Sequence, residues 1–341
     1  MSFEDTDEPS ATAEGNKSGT EPVDSPLGPD LETARTEQLS TPSDAFQALG
    51  NEIRMGILET MLERTDGDEP SRATFSNLFD ASEVDTSAGF AYHLEQLVGP
   101  YLRKDAADER EGAGERTAGY ELTYAGLQIA RAIATGTYTH RVDHPPIALE
   151  EACPFCERDA LEAESTDNVV TVACADCERR LVQLGFPPSG LEAHGREFPE
   201  AFDRHHRHRL ALMRDGVCPE CAGAVDTRLE TPSAAVADEL PSEHADHVQA
   251  VLECSTCGTE ARCPVTLALL EQPAVVSFYH EHDRNVGDRP IWNVGHEWAE
   301  TVLSEDPLAV RVVVELEDAV LPLYVDDGLD VVDVQRATVE G

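Results

Sequence analysis

The sequence predicts an α+β chain, helical first and then built on small antiparallel sheets, and three observations carry that prediction. Helix-start signals and helical apolar spacing dominate residues 41–137. After residue 150 a Cys-x-x-Cys pair recurs four times, twice directly behind a β-rich run. Near the C-terminus Val and Leu alternate with acids, the pattern of strands with one wet face.

Residues 1–40 are rich in Glu, Asp, Ser, Thr, Pro and Gly with almost no aromatics, and cannot bury enough surface to offset ordering entropy, so a disordered acidic tail is expected. At Thr41-Pro42-Ser43-Asp44 a capping hydroxyl, a proline at the first helical position and an acid three residues on start a helix. Phe46, Leu49, Ile53, Ile57, Leu58, Met61 and Leu62 keep helical spacing, with a break expected near Gly50-Asn51. A short helix at 73–79 follows, and Asp85 reads as the cap of a helix from Thr86 to Val98. Tyr101–Lys104 and Tyr120–Thr123 read as strands joined by the glycine-rich, charged segment 105–119, and a helix at 125–135 closes the unit. That element order is the order of a winged helix-turn-helix with a long wing, expected over 41–137 as a DNA-binding domain.

The cysteine pairs are Cys153/Cys156, Cys174/Cys177, Cys218/Cys221 and Cys254/Cys257, with 17 residues between the first two pairs and 32 between the last two. Cysteines two residues apart place both thiolates on one metal from a tight turn, and two such turns complete a tetrahedron. Two structural zinc ions are therefore the expected cofactors, in zinc-ribbon-like modules at 152–188 and 215–268. Metal or redox sensing is the competing reading, but an all-thiolate tetrahedron has no open coordination position and contributes directly to folding. A linker containing Pro145-Pro146 is expected at 138–151, and a connecting helix at 189–214. An α+β segment at 269–341 should hold a helix after Pro273 and a small antiparallel meander of strands 308–316, 319–325 and 329–336.

On the 86–98 helix, Phe90, Ala91, Leu94, Leu97 and Val98 are expected to face the core. Thr86, Ser87, Gly89, Tyr92, His93 and Gln96 fall on the other side, where hydroxyls, an amide and an imidazole can meet base edges or phosphates of double-stranded DNA. Arg103, Lys104, Arg110 and Arg116 of the wing could neutralise flanking phosphates. The plainer readings are a solvated helix face and ordinary surface charges. Cys263 reads as a buried small hydrophobe, with a regulatory thiol as the alternative. His205-His206-Arg207-His208 and His244-Ala245-Asp246-His247 could supply further metal ligands, though exposed clusters are commoner. His280, His282, His296, Trp292 and Trp298 could line a small-molecule pocket, a role that core filling explains equally well for the tryptophans. No nucleophile elbow, phosphate-binding glycine loop or paired-carboxylate pattern rises above chance, so enzymatic activity is not expected.

The segments ALGNEIRMGILETML at 48–62, SAGFAYHLEQLV at 87–98 and GYELTYAGLQIARAI at 119–133 resemble the ArsR-type winged-helix regulators, especially those of haloarchaea. The cysteine-bearing remainder resembles, less specifically, a C-terminal domain fused to such heads in haloarchaea. The resemblance implies a dimeric DNA-binding transcriptional regulator. An adaptor of the transcription machinery, similar to archaeal basal factors that join a winged helix to a zinc ribbon, is the alternative.

Charge fits that source. There are 67 acidic against 25 basic residues, a formal net charge of −42, and Lys17 and Lys104 are the only lysines. At about 1 M salt the Debye length is roughly 3 Å, so carboxylate repulsion is mostly screened. Counterion release weakens as salt rises, so DNA binding would depend on shape and base contacts rather than on a broad basic patch. No apolar run is long enough to span a bilayer and no signal-peptide pattern opens the chain, so a cytoplasmic protein without a membrane partner is expected. Dilution from molar potassium chloride into low-salt buffer should unfold the chain. A cooperative melt at an unchanged midpoint there would contradict the halophilic reading.

Overall fold

Five helices and a three-stranded sheet form the first unit of the structure, a computed structural model that describes residues 40–63, 72–105, 119–232 and 248–338. Arg110, Arg116, His244, His247 and the tail lie outside the described residues. Helix α1 (Pro42–Leu49) starts as its sequence dictates: Thr41 Oγ1 accepts from the Asp44 amide at 3.2 Å and donates to Asp44 Oδ2 at 2.7 Å. The chain breaks at Gly50 and resumes as α2 (Glu52–Glu63), with Asn51 Oδ1 accepting from the Arg54 amide. Strand β1 (Arg72–Ala73) leads into α3 (Phe75–Asp80), which Thr74 and Asn77 close with reciprocal hydrogen bonds.

Helix α4 (Ser87–Leu97) is capped by Thr86, whose hydroxyl accepts from the Gly89 amide at 3.2 Å. The cap is therefore one residue later than Asp85. Strands β2 (Leu102–Asp105) and β3 (Gly119–Leu122) pair antiparallel, and β1 joins β3 on its other side. Thr123 then caps α5 (Tyr124–Ala134). At Gly126 a Cβ would lie 2.0 Å from the Tyr101 carbonyl oxygen, so glycine alone lets α5 approach the backbone this closely. Leu58, Met61, Phe90, Leu94, Leu97 and Leu102 fill the core between these elements.

The second half holds three antiparallel sheets. Strands β4 (His144–Ala148), β5 (Leu161–Thr166), β6 (Val169–Cys174) and β7 (Arg180–Gly185) lie in sequence order. β4 occupies the segment expected to be a linker. Pro145 and Pro146 carry no amide hydrogen, and the strand survives because it sits at the sheet edge with a register shift between His144 and Ile147. Strands β8 (Val225–Glu230), β9 (Gln249–Cys254) and β10 (Glu260–Pro264) form the second sheet with β9 in the centre. In the third, β11 (Trp298–Glu305), β12 (Leu308–Leu316), β13 (Ala319–Val325) and β14 (Val331–Val334) follow in order, with β15 (Ala337–Thr338) also on β13. The expected meander is present, extended at its front by β11. The helix expected after Pro273 is there too, Pro273–Glu281.

The expected single helix at 189–214 is two, α6 (Pro188–His194) and α7 (Phe198–Arg214), parted by a 3-10 turn at Gly195–Glu197 where Gly195 has φ of 51°. α7 binds the half together. Its Phe198 and Phe202 enter the core of the first sheet with Leu191, Ile291 and Trp292, while its Met213 enters the core that the second sheet shares with Val310, Val312 and Val325 of the third. Removing either phenylalanine ring would cost about 3–5 kcal/mol on the scale of large-to-small core substitutions. Polar ties cross the same seams: Asn293 Nδ2 donates to the Ala152 carbonyl at 2.8 Å, and the Leu229 amide to the Asp327 carbonyl at 2.8 Å. Modules separate in sequence are thus one packed body.

Two buried polar groups on α7 pin the 289–291 segment. Asp203 Oδ1 accepts from the Ile291 amide at 2.7 Å, and Arg207 Nη2 donates to the Arg289 carbonyl at 2.6 Å. Burial pushes the Asp203 carboxyl up while Arg207 pulls it back. His206, also buried, meets the Gly185 carbonyl through Nε2 at 3.2 Å. Burial first, then His205 and Arg209, lower its pKa to about 4. The unfolded chain takes up that proton near pH 6.5 and the folded chain does not, so stability falls as pH drops from about 6.5 to about 4, by up to roughly 3 kcal/mol. His206→Gln, which keeps a donor for Gly185, should flatten this limb in denaturant titrations across the window. An unchanged difference between pH 7 and pH 4.5 would refute the assignment.

Candidate metal centres and nucleic-acid interface

Each Cys-x-x-Cys pair sits on the same turn, built four times. The first cysteine's amide donates to the carbonyl five residues on: Cys153 to Arg158, Cys174 to Arg179, Cys218 to Gly223 and Cys254 to Thr259, at 2.8–2.9 Å. Its carbonyl accepts from the amide four residues on, at 2.8–3.0 Å. The residue after each second cysteine is left-handed: Glu157 (φ 59°), Glu178 (59°), Ala222 (58°) and Gly258 (74°). Only the last is a glycine, so the other three hold a conformation that costs about 1–2 kcal/mol for a side-chain-bearing residue. The strain persists because the turn aims both sulfurs at one point.

Strands then bring the turns together in pairs. β6 ends on Cys174 and β9 on Cys254, and each delivers its turn against the earlier one. Cys153 and Cys177 Sγ lie 3.8 Å apart and Cys156 and Cys174 Sγ 3.6 Å; in the second quartet Cys218–Cys257 and Cys221–Cys254 are both 3.6 Å. All four donor atoms of each quartet lie within 4.8 Å of one another. A tetrahedral ion with bonds of about 2.3 Å to sulfur has edges of about 3.8 Å, so each group fits a zinc ion. All nine cysteines are free thiols. Among the described residues no other group of His, Cys, Asp or Glu meets this metal-holding arrangement. Each quartet could hold one metal ion, in an arrangement compatible with a zinc ribbon.

The electrostatics agree. Backbone amides, Cys177 first, lower Cys174 to about 7, and the Thr259 hydroxyl and amide lower Cys257 to about 6. At Cys156 the Arg158 amide pulls down, but burial and the neighbouring thiols outweigh it and lift the group to about 12. At Cys221 the Gly223 amide is outweighed in the same way, also to about 12. Cys254 is lowered as well, by the Cys257 amide first, so lowered and raised thiols stand side by side in each quartet, a conflict that a central dication removes. Thr259, with Oγ1 3.1 Å from Cys257 Sγ, and the stacking of Arg179 on Phe155 at 4.5 Å join these sites without any sign in the cysteine spacing. Cys263 stands apart in β10, buried, and burial followed by Glu300 pushes it up to about 12.

The candidate DNA-reading residues divide. On α4, Phe90, Leu94 and Leu97 are buried and Val98 half-buried, but Ala91 is exposed rather than in the core. Ser87, Tyr92 and Gln96 are exposed together with Ala88 and Glu95, and Tyr92 is 60 % exposed. Thr86 is exposed, but its oxygen is engaged as the cap. Gly89 is half-buried, and so is His93, whose Nδ1 is enclosed with no hydrogen-bond partner among the described residues. Arg103 stands directly across the ladder from Glu121, with Nη2 to Oε2 at 2.6 Å, so it brings its own counter-ion. Lys104 is exposed, with Nζ 5.9 Å from the Tyr120 ring centroid.

The remaining candidates scatter. Trp292 is buried among Phe202 and Ile291, Trp298 packs on Tyr279, His280 and His296 are exposed, and His282 bonds the Phe278 carbonyl, so no common pocket forms from them. His205 and His206 touch edge to face, and His208 is exposed. No helix among the described residues is long and apolar enough to cross a membrane.

A helical unit with a three-stranded sheet, followed by a body carrying two four-thiolate sites, is the class of protein these features define. The chain belongs to the family described as a domain of unknown function (DUF7351), whose model matches residues 150–331. A second family model, also described as a domain of unknown function (DUF7347), matches residues 42–133. No curated protein and no solved structure matches the chain.

Native mass spectrometry should find two metal ions per chain. Cys174→Ser should retain one of them and lose several kcal/mol of stability, because the site's binding energy is folding energy. Two ions retained in this variant would overturn the first site.

Proposed function

We propose that the chain is a DNA-binding transcriptional regulator whose first unit is a winged helix-turn-helix and whose two quartets hold structural zinc. The observation that carries the reading is α4: three leucine and phenylalanine side chains anchor it, and Ser87, Tyr92 and Gln96 project from the opposite face. An exposed hydroxyl, phenol and amide on an anchored helix are groups that bond base edges without positive charge, which suits recognition in concentrated salt. In this reading the antiparallel β2–β3 pair that follows would serve as the wing. The quartets are closed, all-sulfur sites without the open position that catalysis by zinc needs, so they act as braces in a cytoplasmic protein.

A homodimer supports two-fold recognition of an operator. α1 buries none of its side chains and leaves Phe46 71 % exposed, and Tyr124 at the start of α5 is 80 % exposed, which leaves apolar surface for a partner subunit. The adaptor reading draws on a different observation: Glu95 lies within the outward face of α4 and Arg103 is neutralised by Glu121, a charge pattern that a protein partner such as the transcription machinery would accept.

Footprinting on the chain's own promoter in molar potassium chloride should show two protected half-sites about 34–36 Å apart. Tyr92→Ala with Gln96→Ala should weaken binding at least about tenfold, the scale of one lost base contact. Parent-like binding by this variant, or uniform occupancy of most promoters in chromatin immunoprecipitation, would favour the adaptor.

A further inference from the structure

Five of the 25 Lys and Arg residues and four of the 12 His fall within residues 194–214, where only three acids stand. In a chain of net charge −42 this is a local reversal of sign, and solubility in salt does not call for it. The folded helix sorts these residues. Phe198, Phe202, His206 and Met213 run along the buried stripe of α7, while Arg204, His205, His208 and Arg209 run along its outer one. Together with His194 they line an open surface groove of about 470 Å³. Ala201, Leu212 and Pro219 supply an apolar wall, and Leu212 is 40 % exposed with nothing packed over it.

The cations of the groove are weakly held. Arg204 meets Glu200 at 3.1 Å with both side chains about 70 % exposed, and Arg209 meets Glu220 on the Cys218/Cys221 turn. The first pair is fully solvated and contributes little, while Arg209 is half-buried against its partner. A phosphate carries more charge than a carboxylate and can accept from both planar guanidinium groups at once, so it competes with the carboxylates for them. Burial first, then Arg209, lower the pKa of His205, while Glu220 opposes them.

We propose that this groove binds a phosphorylated small molecule of nucleotide size, its phosphate between Arg204, His208 and Arg209 and its body against Leu212 and Pro219. The groove shares no residue with α4, and the proposal does not rest on the DNA reading. The test is calorimetric titration of the full zinc-loaded chain with AMP, inorganic pyrophosphate and a single-stranded oligonucleotide in molar potassium chloride. Saturable binding of AMP is expected, with pyrophosphate weaker because it lacks a body for the apolar wall. Arg204→Gln with Arg209→Gln should lose at least about tenfold in affinity for AMP. His208→Ala, at an exposed position that cannot affect folding strongly, should lose affinity as well, with the melting temperature and zinc content of each variant monitored. No saturable AMP binding, binding unchanged in both variants, or binding of the oligonucleotide alone would overturn the proposal.

Discussion

Four sulfurs held within 4.8 Å of one another cannot all carry charge unless a cation lies among them, and the second half of the chain is arranged around that constraint twice. The strained residues Glu157, Glu178 and Ala222, the amides aimed at sulfur and the strands that end on Cys174 and Cys254 all serve to hold the donors in place. Metal binding and folding are then one process. Because each quartet joins turns from distant points in the sequence, it closes loops whose ordering the small sheets alone could not offset.

Around these braces the packing is continuous. α7 lends one end to each of two cores, and the third sheet completes the second core through Val310, Val312 and Val325. Leu267 and Trp298 also pack against both cores, so the two quartets sit in one continuous packing. The buried Asp203–Arg207 pair adds direction to this contact, since its partners on Ile291 and Arg289 can be met in only one seating of the helix.

Much of this was legible in the sequence where a local rule acts alone. The cysteine spacing marked both quartets, Thr41 and Pro42 marked the first helix, and the alternation of Val with polar residues marked β12 and β13. What stayed hidden depends on neighbours. β4 carries two adjacent prolines and reads as a linker until an edge position is known, and β11, with Glu300 and Ser304, acquires its strand character only against β12. Ala91 and His93 exchanged roles because a helical stripe a few residues wide leaves its flanks undecided. Arg103 looked available until the ladder register set it opposite Glu121. The basic groove was legible in sequence only as a helix with basic residues and a run of histidines, since its meaning lies in which of them α7 turns outward.

The paired prolines of β4 have an effect beyond their own strand. Their rings occupy the outer rim of the first sheet, where bare amides would otherwise invite a strand from another molecule to attach. With two donors missing from it, that rim offers an incoming strand a poorer ladder than a bare edge would.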